Sequence, residues 1–107
     1  MKTVTKKEVA KRVAKMMGEK IYVTEEFVNA VFTVLREILA EADPEIRIEI
    51  RDFGVFEVKQ TKPKPKARNP RTGEIIYVPA RRKTHFKPGK ILKDILKEPI
   101  ENKTNKS

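Results

Sequence analysis

The sequence predicts an α+β fold: two helices, a small antiparallel sheet with a protruding hairpin arm, and a short last helix. Three observations lead there. Apolar residues recur at helical spacing up to about residue 42, and from Ile46 the period switches to two. The charge is also lopsided. Residues 59–83 hold nine basic residues against one acid, Glu74, which accounts for +8 of the chain's net +10.

The first helix starts near Thr5. Thr5 followed three residues later by Glu8 makes a capping box, with Val4 and Val9 as a hydrophobic staple. Val9, Val13 and Met16 or Met17 follow at helical spacing, the methionines as gap fillers, and Gly18 suits the C-terminal cap. Thr24 repeats the N-terminal pattern, with Glu25 and Glu26 at the positive end of the helix dipole and Val23 facing Val28. This second helix is expected to run to about Ala42. Its apolar positions include Phe27, Val31, Phe32, Leu35, Ile38 and Leu39, more than the single stripe a small monomer can cover. A second subunit across a two-fold axis is the expected solution, with a helix buried within its own chain as the alternative.

Ile46, Ile48 and Ile50 alternate with Arg47, Glu49 and Arg51, the signature of a half-buried strand whose apolar face packs on the helices. Gly54, after Asp52 and Phe53, marks a turn or bulge before Val55–Val58 resumes as a strand. Pro63 and Pro65 then sit between lysines, which confines that run to a sheet edge or a two-stranded ribbon. Asn69-Pro70-Arg71-Thr72-Gly73 reads as a turn, and Ile75–Val78 as the returning strand. The expected arm covers about residues 59–82, on the order of 30 Å long at about 3.3 Å per residue. Lys87-Pro88-Gly89-Lys90 is expected to open the last helix, 87–98, stopped by Pro99. Residues 99–107 read as a disordered tail.

Composition narrows the function. A charge so concentrated is a footprint aimed at a polyanion, nucleic acid first. With no Cys and a single His, His85, the sequence offers no metal cluster, thiolate site or cofactor motif. No apolar run approaches the roughly 20 residues of a membrane span, and no signal-peptide core opens the chain. The expectation is a cytoplasmic, nucleoid-associated protein without a small-molecule substrate or a membrane partner. His85 reads as structural or phosphate-adjacent, Phe53, Phe56 and Phe86 as core, and Tyr77 as packed in the arm base or the saddle, with base stacking as its alternative.

Three blocks resemble the bacterial HU/IHF family of DNA-bending proteins: Asp52–Val58; Arg68-Asn69-Pro70-Arg71-Thr72-Gly73-Glu74 through Ala80; and Phe86-Lys87-Pro88-Gly89-Lys90 through Asp94. The resemblance spans about residues 1–98, taken as one domain in which 1–43 dimerise and 44–86 form the sheet and arm. It implies an IHF-like intertwined dimer with a helical base, a β-sheet saddle and two ribbon arms in the minor groove. Phe32, Leu35, Leu39, Phe53 and Phe56 are the expected dimer contacts. Asp52 departs from the family's usual Gly. Pro63 and Pro65 are atypical, and the first arm strand has room for one extra residue.

The expected partner is double-stranded DNA, bound by a homodimer or by a heterodimer with a paralogue. Lys59, Lys62, Lys64, Lys66, Arg81, Arg82, Lys83, Lys87 and Lys90 would neutralise phosphates without sequence preference, with release of counterions. Pro70 is the family's intercalating wedge, and Arg68, Asn69 and Arg71 would reach minor-groove acceptors beside it. Two alternatives stay open, an IHF-like specific bender and a basic RNA-binding protein. A nuclease lacks paired carboxylates on the basic segment.

Overall fold

Residues 1–100 are described by the computed structural model. The elements run α1 (Lys6–Met17), α2 (Ile21–Ala40), β1 (Ile46–Ile50), β2 (Gly54–Gln60), β3 (Lys64–Arg68), β4 (Ile75–Val78), β5 (Arg82–Pro88) and α3 (Lys90–Leu96). Two units divide the chain, one ending at Ala40 and the other beginning at Glu41. The expected tail lies largely at 101–107, outside the described residues.

In the first unit, Thr5 is the N-cap of α1 through its backbone, its carbonyl accepting from the Val9 N–H at 3.1 Å. The expected capping box does not close. Thr5 makes no side-chain cap bond, and Glu8 turns instead to Arg12 one turn on, at 3.1 Å. Gly18 ends the helix at φ +66°, as its freedom from a Cβ allows.

Thr24 is not the N-cap of α2. The helix begins three residues earlier, at Ile21. The Thr24 N–H and hydroxyl both donate to the Lys20 carbonyl, at 3.1 and 3.0 Å, so Thr24 is helical and buried. The Glu19 carboxylate accepts from the Lys20 N–H at 2.8 Å, just ahead of the helix. The far end also comes early, at Ala40 rather than Ala42.

Ala10 and Ala14 are the buried residues of α1, one turn apart, where small side chains allow close approach of a neighbouring helix. The expected gap fillers Met16 and Met17 are exposed instead. α2 buries no apolar side chain, and Phe27 is 70% exposed, Val31 54% and Phe32 42%. An open apolar hollow of about 550 Å³ runs beside them, lined by Val9, Val13, Met17, Val28 and Phe32 among others. So much uncovered apolar surface on a single chain is the mark of an interaction face.

In the second unit, β1, β2 and β5 form an antiparallel sheet in the order β1-β2-β5. Ile48 pairs with Phe56 and Phe56 with Phe86, so the period-two pattern sorts one face as apolar. Phe53, Phe56 and Phe86 gather in tilted contacts with centroids 4.9–6.4 Å apart. Within this chain Phe53 and Phe86 remain exposed, so the expected aromatic core is a half-covered cluster.

Gly54 is not the turn residue. It opens β2, and a Cβ there would lie 2.5 Å from the Lys87 carbonyl oxygen and 2.6 Å from the Phe86 ring. Close approach of β5 demands the glycine. The turn conformation falls two residues earlier, on Asp52 at φ +64°.

β5 runs through Pro88, so Lys87 is a strand residue opposite Val55 and not the start of the last helix. Strand pairing extends the chain until Gly89, whose N–H donates to the Phe53 carbonyl at 2.8 Å and which caps α3. α3 therefore starts at Lys90 and covers seven residues.

Candidate nucleic-acid interface

Alternation fixes what the other face of the three-stranded sheet presents. Arg47 pairs with Glu57 and Glu57 with His85, which makes one row across all three strands. The neighbouring rows add Glu49, Val55 and Lys87 on one side, and Lys59 opposite Lys83 on the other. This face is polar and predominantly cationic.

Glu57 sits at its centre with a side chain only 10% exposed. Its Oε1 lies 3.0 Å from the Lys87 Nζ and 4.0 Å from the Lys59 Nζ. The Lys87 contact is the main cause holding the carboxyl below its usual range. Lys59, Lys87 and Arg47 add to it through their charge, against the opposing pull of partial burial. Lys59 and Lys87 are thus partly neutralised within the chain.

Arg47 and Arg51, not singled out from the sequence as binding residues, also line an open hollow of about 600 Å³ with Lys90. The signal was available, because alternation against Ile46, Ile48 and Ile50 sends both arginines to the polar side. Arg82 falls on the other face. Its guanidinium donates to the Ala42 carbonyl at 2.7 Å, which commits it to the fold.

The sheet gives way to the arm at Thr61. Its N–H donates to the Arg81 carbonyl at 2.7 Å, and its hydroxyl accepts from the Arg81 N–H at 2.9 Å. Beyond this clamp β3 and β4 form a separate two-stranded ribbon. Lys62, Lys64, Lys66, Arg68 and Arg71 are all exposed along it. Tyr77 is exposed as well, at 63%, and not packed at the base, because no third layer covers the ribbon there.

The tip is a closed knot of hydrogen bonds. Asn69 donates its N–H to the Glu74 carbonyl and accepts the Gly73 N–H on its own carbonyl, each at 2.7 Å. Its side-chain oxygen accepts from the Arg71 N–H at 2.9 Å, so it bridges over Pro70. Gly73 takes φ +77°, and its carbonyl accepts from the Arg68 guanidinium at 3.2 Å. Pro70 is left exposed at the end of the ribbon, with no N–H to satisfy. The sequence-predicted residues Arg68, Asn69, Pro70 and Arg71 are therefore brought together, and Asn69 and Arg68 build the tip as well as flank it. Among the described residues no group of acidic, His or Cys side chains could hold a metal ion.

Comparison with known proteins points one way. A family profile described as bacterial DNA-binding protein matches residues 4–97. Integration host factor subunit alpha of Ralstonia nicotianae is 36% identical over 101 residues, 94% of this chain and 93% of its own. DNA-binding protein HU of Geobacillus stearothermophilus is 43% identical over 70 residues, 65% of this chain and 73% of its own. Among solved structures, an Anabaena HU–DNA cocrystal structure superposes with a TM-score of 0.76 at 25% identity, and the match covers 90% of this chain and all of that one.

Proposed function

The chain belongs to the bacterial HU/IHF family of DNA-binding proteins, and on that premise we propose that it binds duplex DNA as a dimer, with little sequence preference, and bends it. Members of this family are architectural proteins without catalytic activity, so the work is done by charge and by one wedge. Compaction of the nucleoid follows as the cellular role.

Two steps make up the mechanism. The cations of the arm and of the polar sheet face exchange condensed counterions for contacts with phosphates. Lys62, Lys64, Lys66, Lys83 and Lys90 contribute through the arm, sheet and α3, together with Arg47 and Arg51. Lys59 and Lys87 contribute less while they face Glu57. Pro70 then enters between two base pairs from the minor groove and kinks the duplex. A kink of about 20–90° is the range known for minor-groove benders, HU and IHF among them, rather than a property read from this chain. Bent DNA reaches more cationic surface, which offsets the cost of unstacking.

The observation that carries this reading is the tip. An exposed proline is held by hydrogen bonds on both sides, between arginines, at the end of a ribbon with no other apparent use for it. Rigidity is what a wedge needs, because a soft loop would deform before the stacked bases did.

The test is end-to-end energy transfer on a random-sequence duplex a few helical turns long. Transfer that rises with binding supports a non-specific bender. Binding without a rise would sink the proposal for ordinary DNA and favour a bender restricted to particular sites. Stronger binding to duplex RNA in competition would favour the RNA reading.

A further inference from the structure

Lys64 pairs with Val78, Ala67 with Ile76 and Arg68 with Ile75. Between the first two pairs, β3 holds Pro65 and Lys66 where β4 holds Tyr77 alone. The extra residue is therefore taken up as a bulge. Proline suits that position, since it has no N–H to leave unpaired in a broken ladder.

The bulge changes which way the lysines face. In a regular strand residues two apart share a face, so Lys64 and Lys66 would lie together. Paired residues of an antiparallel ladder also share a face. Val78 and Ile76 lie on one side of β4, which assigns Lys64 and Ala67 to that side. Ile75 and Tyr77 lie on the other, which assigns Arg68 there, and Lys66 with it, two residues before. Lys64 and Lys66 thus sit on opposite faces of the ribbon. Both faces are open, with Ile75 and Tyr77 each 63% exposed on one and Ile76 40% exposed on the other.

We propose that this bulge divides the arm's cations between its two faces, so that one ribbon neutralises phosphates of both DNA strands bordering the minor groove. The inference rests on the DNA-binding reading and goes beyond it. The minor groove is about 6 Å wide and about 7.5 Å deep between two phosphate-bearing walls. A ribbon that enters edge-on, its two strands about 4.8 Å apart along that depth, turns its faces to the two walls. Cations on a single face would serve one wall and leave the other facing apolar side chains. The bulge removes that asymmetry, and Pro65 is its device.

The chain contains no cysteine, so a single introduced thiol reports on one position. Lys64→Cys and Lys66→Cys variants are each coupled to an iron–EDTA cleaver. Both are bound to a duplex carrying unpaired thymines, where the cost of unstacking is least and the tip is pinned. Read within each half of the duplex, position 64 should cut mainly one strand and position 66 mainly the other. Cuts from both positions on the same strand would overturn the proposal. Insertion of one alanine between Tyr77 and Val78, which gives Pro65 a partner of its own and restores a regular ladder, should bring the two patterns onto one strand. If that variant does not fold, the comparison of positions 64 and 66 still decides. A chain whose unlabelled form shifts no duplex at all would remove the DNA-binding reading, and the proposal with it.

Discussion

The Lys87 ammonium lies 3.0 Å from the Glu57 carboxylate, across two adjacent strands of the polar sheet face. The one nearly buried acid of this cationic face therefore restrains a lysine that the sequence assigns to DNA. Glu57→Gln should free Lys87 and Lys59 together. Each cation that newly meets a phosphate adds about 0.9 to the slope of log affinity against log salt, so the slope should steepen by up to about 2 for each chain of the dimer. An unchanged slope in a salt titration would mean that neither lysine reaches DNA.

The same carboxylate links stability to pH. Its folded pKa is depressed below the ordinary value of 4.5. The stabilisation is therefore full above the unfolded pKa and is lost as pH falls through the folded one. Thermal melts of the wild type and Glu57→Gln should converge as the pH drops below about 4.5. Curves that stay parallel down to pH 2 would contradict the linkage.

Gly54 tolerates no Cβ, because the Lys87 carbonyl oxygen would be 2.5 Å away. Backbone cannot step aside as a flexible side chain can. Gly54→Ala should lower stability by about 1–3 kcal/mol, measured by denaturant unfolding at fixed chain concentration. A loss well under 1 kcal/mol would mean that β2 and β5 can separate cheaply.

Asp52 holds φ +64°, a conformation that glycine adopts without the Cβ penalty. Asp52→Gly should relieve strain but also loosen the unfolded chain. The net gain expected is on the order of 0.5 kcal/mol. Asp52→Ala should destabilise, since alanine has no side-chain oxygen to offset the strained backbone. The order Gly, Asp, Ala in melting temperature is the outcome to check.

Pro70→Ala should reduce bending far more than low-salt binding, since phosphate contacts remain when the wedge is gone. Phased-bend gels that give the variant the wild-type angle would remove Pro70 from the mechanism.

Phe32 is 42% exposed on a helix that buries no apolar side chain within its own chain. Sedimentation should give the wild type a mass of two chains. Phe32→Asp should move it to one chain or unfold it. A monomeric wild type would end the dimer proposal.

Composition and period made most of the architecture readable. Helix against strand followed from spacing, Gly18 as a C-cap followed from its freedom at positive φ, and the basic arm followed from nine cations that no core could hold. These are local properties, set by each residue and its near neighbours. Tertiary structure decided the rest. Thr24 became an interior helical residue because the helix began at Ile21 and the Lys20 carbonyl took both its N–H and its hydroxyl. Gly54 is required by the approach of β5, a strand that begins 28 residues later. Lys87 joined a strand opposite Val55 and found Glu57 there, while Arg82 turned to the carbonyl of Ala42. The arm's register depended on which residue of β4 met Pro65 and Lys66. Pairing across strands is a contest among distant segments, and no single stretch of sequence contains both contestants.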